Sequence, residues 1–257
     1  MPRCCPVDLR HDRVTPYPGP TQPRRGRFGH ARARSRRTGR PRSTVVGCGP
    51  VRGPVVVVVE FPIVVLACST GGLDAVSRVL APLPGDFAAA VVVVQHTSPD
   101  APGALPDILA RRTALPVAPA VDGARLLPGH VLVAPPGRHL LATADGTLTT
   151  IPVGPVPPYR PSADLLLATL AVVAGPRVVA VVLSGHGNDA ATGATAVHRF
   201  GGVVLVADPT TSAASAMPEA AIGRDAIVNG IVALDDIAHM LVDLTASTVL
   251  HAEPEPR

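Results

Sequence analysis

The stretch Val64-Val65-Leu66-Ala67-Cys68-Ser69-Thr70-Gly71-Gly72 reads as a buried strand that delivers a serine into a glycine-flanked turn ahead of a helix. In a parallel α/β sheet the carboxyl ends of the strands open toward ligand, and the N-terminus of the next helix leaves backbone N–H groups free for a developing oxyanion. One segment would thus supply both a nucleophile and the dipoles that support it. The same small residues would also serve a plain strand-turn-helix, so the rest of the chain has to decide.

Working outward, composition narrows the fold. With two Tyr, four Phe and no Trp among 257 residues, the core must be built from Val, Leu, Ile and Ala, which suits buried parallel strands covered by helices on both faces. The net charge of +4 conceals an asymmetry: residues 1–53 carry 13 Arg against two Asp, and residues 54–257 carry ten Arg against 17 acidic residues. Every basic residue is Arg, a pattern that a GC-rich coding sequence also produces. The four cysteines, at positions 4, 5, 48 and 68, match neither a zinc site nor a disulfide framework. No apolar run reaches transmembrane length, because Glu60 and Pro62 interrupt Val55–Ala67, and the N-terminus has no secretory core. A cytoplasmic protein without membrane insertion is expected.

Residues 1–53 lack apolar periodicity and are expected to be a disordered Arg/Pro-rich tail. Such a tail can attract nucleic acid or anionic lipid, but it offers few aromatics for base stacking, and no specific nucleic-acid partner is expected. A single catalytic domain is expected over residues 54–248, followed by a disordered tail at 249–257. Within the domain, Ile63–Ala67, Ala90–Val94, Val117–Ala120, Val131–Ala134, Val178–Leu183 and Val203–Ala207 have the length and β-branched content of buried strands. Leu73–Leu80, Leu105–Arg112, Ser162–Ala174 and Ala190–Arg199 read as helices, with Ser162 as an N-cap after Pro161. Leu140–Ile151, turning at Asp145-Gly146, reads as a β-hairpin appended to the main sheet. A last helix is expected from about Asp235 to Leu244. The alternation predicts a three-layer, doubly wound α/β fold with a mostly parallel sheet.

Three polar residues then fall at strand ends that share one edge: Ser69, His96 and Asp189. They offer a nucleophile, a general base and a carboxylate to orient the base. Each has a structural alternative, since His96 would also suit a solvated loop and Asp189 would also cap the helix after it. The order Ser, His, Asp differs from the Ser, Asp/Glu, His order of α/β-hydrolases, and Cys68-Ser69-Thr70-Gly71 lacks the first glycine of a G-x-S-x-G elbow. An ordinary lipase or esterase is disfavoured.

Several further motifs occur in order along the chain. They are Ala67-Cys68-Ser69-Thr70-Gly71-Gly72, Val94-Gln95-His96, Leu127-Pro128-Gly129-His130-Val131 through Ala134-Pro135-Pro136-Gly137-Arg138-His139-Leu140, Arg160-Pro161-Ser162-Ala163-Asp164, Leu183-Ser184-Gly185-His186-Gly187-Asn188-Asp189 and Ala216-Met217-Pro218-Glu219-Ala220. Together, over about residues 62–245, they resemble the chemotaxis protein-glutamate methylesterases of the CheB type. That resemblance implies a cytoplasmic hydrolase for γ-glutamyl methyl esters on chemoreceptor helices, often with a second glutamine deamidase activity. It implies Ser69 as nucleophile, His96 as base and Asp189 as orienting acid. The N–H groups near Thr70 and in the His186 loop would hold the oxyanion, and Arg160 would line the crevice toward acidic methylation helices or serve as a structural surface residue.

The chain departs from the family pattern at four positions. It has Cys68, Ser184, His186 and Ala190 where members usually carry Ala, Thr, Met and Gly. Cys68 is expected to point away from the Ser69 face. His186 either competes for the triad or turns outward. Residues 1–53 are too short for the receiver domain of familiar members, so a stand-alone catalytic domain is expected, constitutive or under a separate regulator rather than under its own phosphorelay. No metal and no organic cofactor are expected. An alternative is a catalytically impaired interaction module of the same fold, and a weaker one is a phosphate cradle at Gly71-Gly72.

Overall fold

The computed structural model describes residues 59–154 and 160–250. The tail expected at 1–53, and residues 251–257 of the one expected at 249–257, lie outside the described residues. Short Val/Ile/Leu runs that are buried on both sides form parallel strands when helical segments return the chain between them. The chain runs through β1 (Ile63–Cys68), α1 (Gly72–Leu80), β2 (Ala90–Gln95), α2 (Leu105–Ala110), β3 (Val117–Pro119), β4 (Ala124–Arg125), β5 (Val131–Val133), β6 (Arg138–Ala142) and β7 (Thr147–Pro152). It continues through α3 (Ala163–Ala174), β8 (Val178–Val182), α4 (Ala191–Arg199), β9 (Val203–Ala207), α5 (Ala216–Ile222), β10 (Gly230–Val232) and α6 (Ile237–Leu250).

The main sheet has seven parallel strands in the order β10-β9-β8-β1-β2-β5-β3. Its strands alternate faces with a period of two. Val64, Leu66 and Cys68 pack with Val76, Val79 and Leu80 of α1 and Leu241 of α6. Ile63, Val65 and Ala67 pack on the other side with Leu166 and Leu170 of α3, Ala194 of α4 and Met217 of α5. The fold is therefore doubly wound. β1 continues to β2 on one side and neighbours β8 on the other, so the strand order reverses at the β1/β8 seam. Ligand crevices open at such a switch point, beyond the carboxyl ends of the strands.

Two expectations are corrected. The 140–151 hairpin is not appended to the main sheet: β6 and β7 join β4 in a separate antiparallel sheet of order β4-β7-β6. Its inward Leu140 and Leu148 pack into the α3 side of the core, and Ala142 N–H donates to Thr169 Oγ1 of α3 at 2.9 Å. The hairpin buries its apolar face against α3 and pairs with β4, not with an edge strand of the main sheet. The last helix begins at Ile237, after a short 3₁₀ turn at Leu234–Asp236, and runs to Leu250. It passes both the expected end at Leu244 and the expected tail boundary at 249, because no Gly or Pro interrupts it before Pro254. Helix α5 and strand β10 were not foreseen; Pro218 inside a seven-residue helix and a three-residue strand leave little periodicity to read. No helix among the described residues is long and apolar enough to cross a membrane.

Candidate active site

Ser69 follows β1 and His96 follows β2. The register pairs Cys68 with Gln95, and His96 N–H donates to Cys68 O at 3.0 Å. One step further along two parallel strands about 4.8 Å apart, Ser69 and His96 are neighbours. Both continue the α3-facing rows, Ser69 after Val65 and Ala67, His96 after Val92 and Val94. Cys68 lies on the opposite face, as expected, and burial pushes its thiol up to about 12.

Asp189 arrives from the loop after β8. Its Oδ2 accepts the Nε2–H of His96 at 2.8 Å, and the two side chains are only 1% and 11% exposed. That bond puts the ring proton of the neutral histidine on Nε2 and leaves Nδ1 as the basic nitrogen. Asp189 does not cap α4, the helix that follows it in sequence. It receives the N-terminus of α3 instead: Ala163 N–H donates to Oδ2 at 2.6 Å, Asp164 N–H to Oδ1 at 3.1 Å, and the Ser162 hydroxyl to Oδ1 at 3.0 Å. Burial pulls the carboxyl upward, but the hydrogen bonds from His96, Ala163 and Asp164 outweigh it and hold Asp189 below the ordinary carboxylate range. Asp164, half-buried next to that charge, is pushed up by desolvation, even though Gly193 N–H donates to it at 2.6 Å. Ser162 is the N-cap of α3, accepting Leu165 N–H at 3.5 Å. It thus serves the helix and the site together, which sequence reading credited only in part.

The serine turn is held by its neighbours. Ser69 N–H donates to Ser184 O at 2.9 Å, and the Ser184 hydroxyl donates to Thr70 O at 2.7 Å while accepting Ala214 N–H at 2.9 Å. A threonine hydroxyl would make the same bonds, so the departure at 184 keeps the chemistry. Gly71 takes φ +77°, and a Cβ there would sit 2.7 Å from Ala213 Cβ and 2.8 Å from Ser184 Oγ. Protein therefore fills the space in front of Gly71, which argues against a phosphate cradle. At Gly185 a Cβ would sit 2.2 Å from Met217 Sδ and 2.8 Å from Ser69 Cβ, so only glycine lets this loop pass over the serine.

Thr70 is exposed. The N–H groups of Thr70 and His186 have no acceptor among the described residues. The His186 side chain is exposed, so of the two expected arrangements the structure has the outward one. Arg160 is half-buried at the rim. Its carbonyl accepts Thr97 N–H at 2.9 Å, next to His96, and its guanidinium reaches Gly154 O at 3.5 Å. His139 of β6 accepts Ser162 N–H on Nδ1 at 2.9 Å. The sequence places His139 in a motif but assigns it no role, because nothing along the chain brings the hairpin to the sheet edge.

A serine-bearing turn, a buried His–carboxylate pair and unengaged N–H groups thus meet at one sheet edge. The chain is similar to known proteins. Residues 64–241 match the family model described as CheB methylesterase. Two Myxococcus xanthus proteins named protein-glutamate methylesterase/protein-glutamine glutaminase, numbers 1 and 4, are 41% and 38% identical over 72% and 70% of this chain. The chain spans about half the length of these relatives, 54% and 50%. The crystal structure of the Thermotoga maritima CheB methylesterase catalytic domain superposes with a TM-score of 0.68 at 31% identity, over 72% of this chain and all of that one. With the family model matching well over half of its length, the chain belongs to the CheB methylesterase family.

Proposed function

We propose that this domain is a serine hydrolase that cleaves glutamate γ-methyl esters on methyl-accepting chemoreceptors or similar methylated signalling proteins in the cytoplasm. The observation that carries the reading is the 2.8 Å bond from His96 Nε2 to a carboxylate kept ionised by the α3 N-terminus, one strand from Ser69. His96 Nδ1 takes the Ser69 proton as Oγ attacks the ester carbonyl. The tetrahedral oxyanion is met by the N–H groups of Thr70 and His186. The proton on Nδ1 passes to the departing methoxide, which leaves as methanol. The same nitrogen then activates water to release the glutamate and restore the serine. Arg160, joined through its carbonyl to Thr97 beside His96, would draw neighbouring acidic residues of a receptor helix to its charge. A glutamine side chain fits the same chemistry with ammonia as leaving group, which accords with the second activity in the names of the relatives.

The test is methanol release from a methylated receptor signalling domain by the purified protein. Ser69→Ala should lower the rate by at least about 10³-fold with an unchanged melting curve. Release that is undiminished in this variant would remove Ser69 as nucleophile and overturn the reading.

A further inference from the structure

His139 stands on the small antiparallel sheet, while Ser69 and His96 follow strands of the main sheet, yet it touches the machinery through a single residue. Its Nδ1 accepts the Ser162 N–H at 2.9 Å, and a ring nitrogen accepts only when it carries no proton. Neutral His139 therefore holds its proton on Nε2. Ser162 begins the run of three residues whose hydroxyl and two N–H groups grip both oxygens of Asp189. The same segment is tied on its other side to the residue after His96, through Thr97 N–H and Arg160 O. An N-cap N–H has no partner within its helix, and here His139 supplies its acceptor.

We propose that His139 is a positioning residue for the reaction: by accepting the Ser162 N–H it pins the N-terminus of α3 at the place from which that terminus aims Asp189 at His96. The proposal rests on the serine-hydrolase reading of the site. Protonation would turn Nδ1 into a donor facing another donor and release the helix start. Burial pushes the His139 ring below its ordinary value of 6.5; Asp189 pulls it back up and Arg160 adds to the fall. These are the charged groups that face it, and the acceptor form is retained at neutral pH.

The experiment compares wild type with His139→Leu and His139→Asn in the whole chain. It measures kcat and KM for methanol release from a methylated receptor signalling domain, and the rate of Ser69 labelling by a fluorophosphonate, from pH 5 to 8. The leucine cannot accept the Ser162 N–H. It should lower kcat and labelling about 10- to 100-fold, the scale of a misplacement near 1 Å, with KM within about twofold. The asparagine Oδ1 can accept it and should restore most of the loss. Because that amide does not titrate, labelling of His139→Asn should also fall less steeply below pH 6.5 than labelling of wild type.

A leucine variant as fast as wild type, or an asparagine variant as slow as the leucine one with both melting normally, would overturn the proposal. Should His139→Leu fail to fold, the asparagine variant decides, and an acid limb identical to that of wild type overturns it. Wild type that labels but releases no methanol would sink the ester reading alone, with His139 then judged on labelling. Wild type that does neither would sink both.

Discussion

The Asp189 carboxylate lies 2.8 Å from His96 Nε2 and, on the same oxygen, 2.6 Å from the Ala163 N–H. One oxygen atom thus couples the orientation of the base to the start of a helix that begins 26 residues earlier. Asp189→Asn would keep the volume and lose the charge, and its NH₂ would meet donors on one side or the other. We expect about a 10⁴-fold loss of kcat, as for a triad carboxylate replaced by amide, and a destabilisation of about 1–3 kcal/mol from unsatisfied N–H groups. The folded-state pKa lies below the ordinary value of 3.8, so ionised Asp189 stabilises the fold above that pH. This contribution is lost as pH falls through the folded-state value. Denaturant melts of the two proteins should therefore converge below about pH 3.8, and a gap that stays constant with pH would contradict the assignment.

Gly185→Ala places a methyl group 2.8 Å from Ser69 Cβ and 2.2 Å from Met217 Sδ. Either the serine turn or α5 must shift. A loss of about 100-fold in Ser69 labelling and about 1–3 kcal/mol of stability from overpacking is expected. Labelling kinetics and thermal melting check the two parts separately.

Ala190 is held at φ +77° immediately before α4, fully buried. A side chain in the left-handed region costs about 1 kcal/mol, and this is a position where family members usually carry glycine. Ala190→Gly should raise stability by about 1 kcal/mol, or roughly 2–4 °C in Tm for a domain of this size, with activity unchanged. A lower Tm would show that the strain is absorbed elsewhere.

His186→Met should leave kcat/KM within about twofold, because the imidazole is exposed and the proposed mechanism uses only its backbone N–H. Methanol-release kinetics from pH 6 to 8.5 test this. A loss beyond tenfold would mean that the ring itself enters the reaction.

Cys68 is fully buried, and burial pushes its thiol up to about 12. In the native protein at pH 8 it should resist iodoacetamide for hours and react fully once urea unfolds the chain. Mass spectrometry of the peptide containing Cys68 reports this, and native alkylation comparable to the unfolded rate would refute the packing of this strand face.

The sequence by itself determined the doubly wound sheet, since buried parallel strands announce themselves as short β-branched runs. It also determined the serine turn, with Gly71 and Gly72 marking where the backbone must bend closely. Strand alternation alone put Cys68 and Ser69 on opposite faces, and the strand-end rule brought Ser69, His96 and Asp189 to one edge. Tertiary structure decided the rest, because those contacts join segments far apart in the chain. Asp189 looked like a cap for the helix after it and instead receives the N-terminus of α3, whose free N–H groups come within reach only when α3 and α4 pack side by side. His139 became part of the site only because the hairpin folds onto α3 rather than extending the main sheet. The outward turn of His186 depended on the loop's path over Ser69, which the close contact between Gly185 and Met217 sets and which no local periodicity encodes.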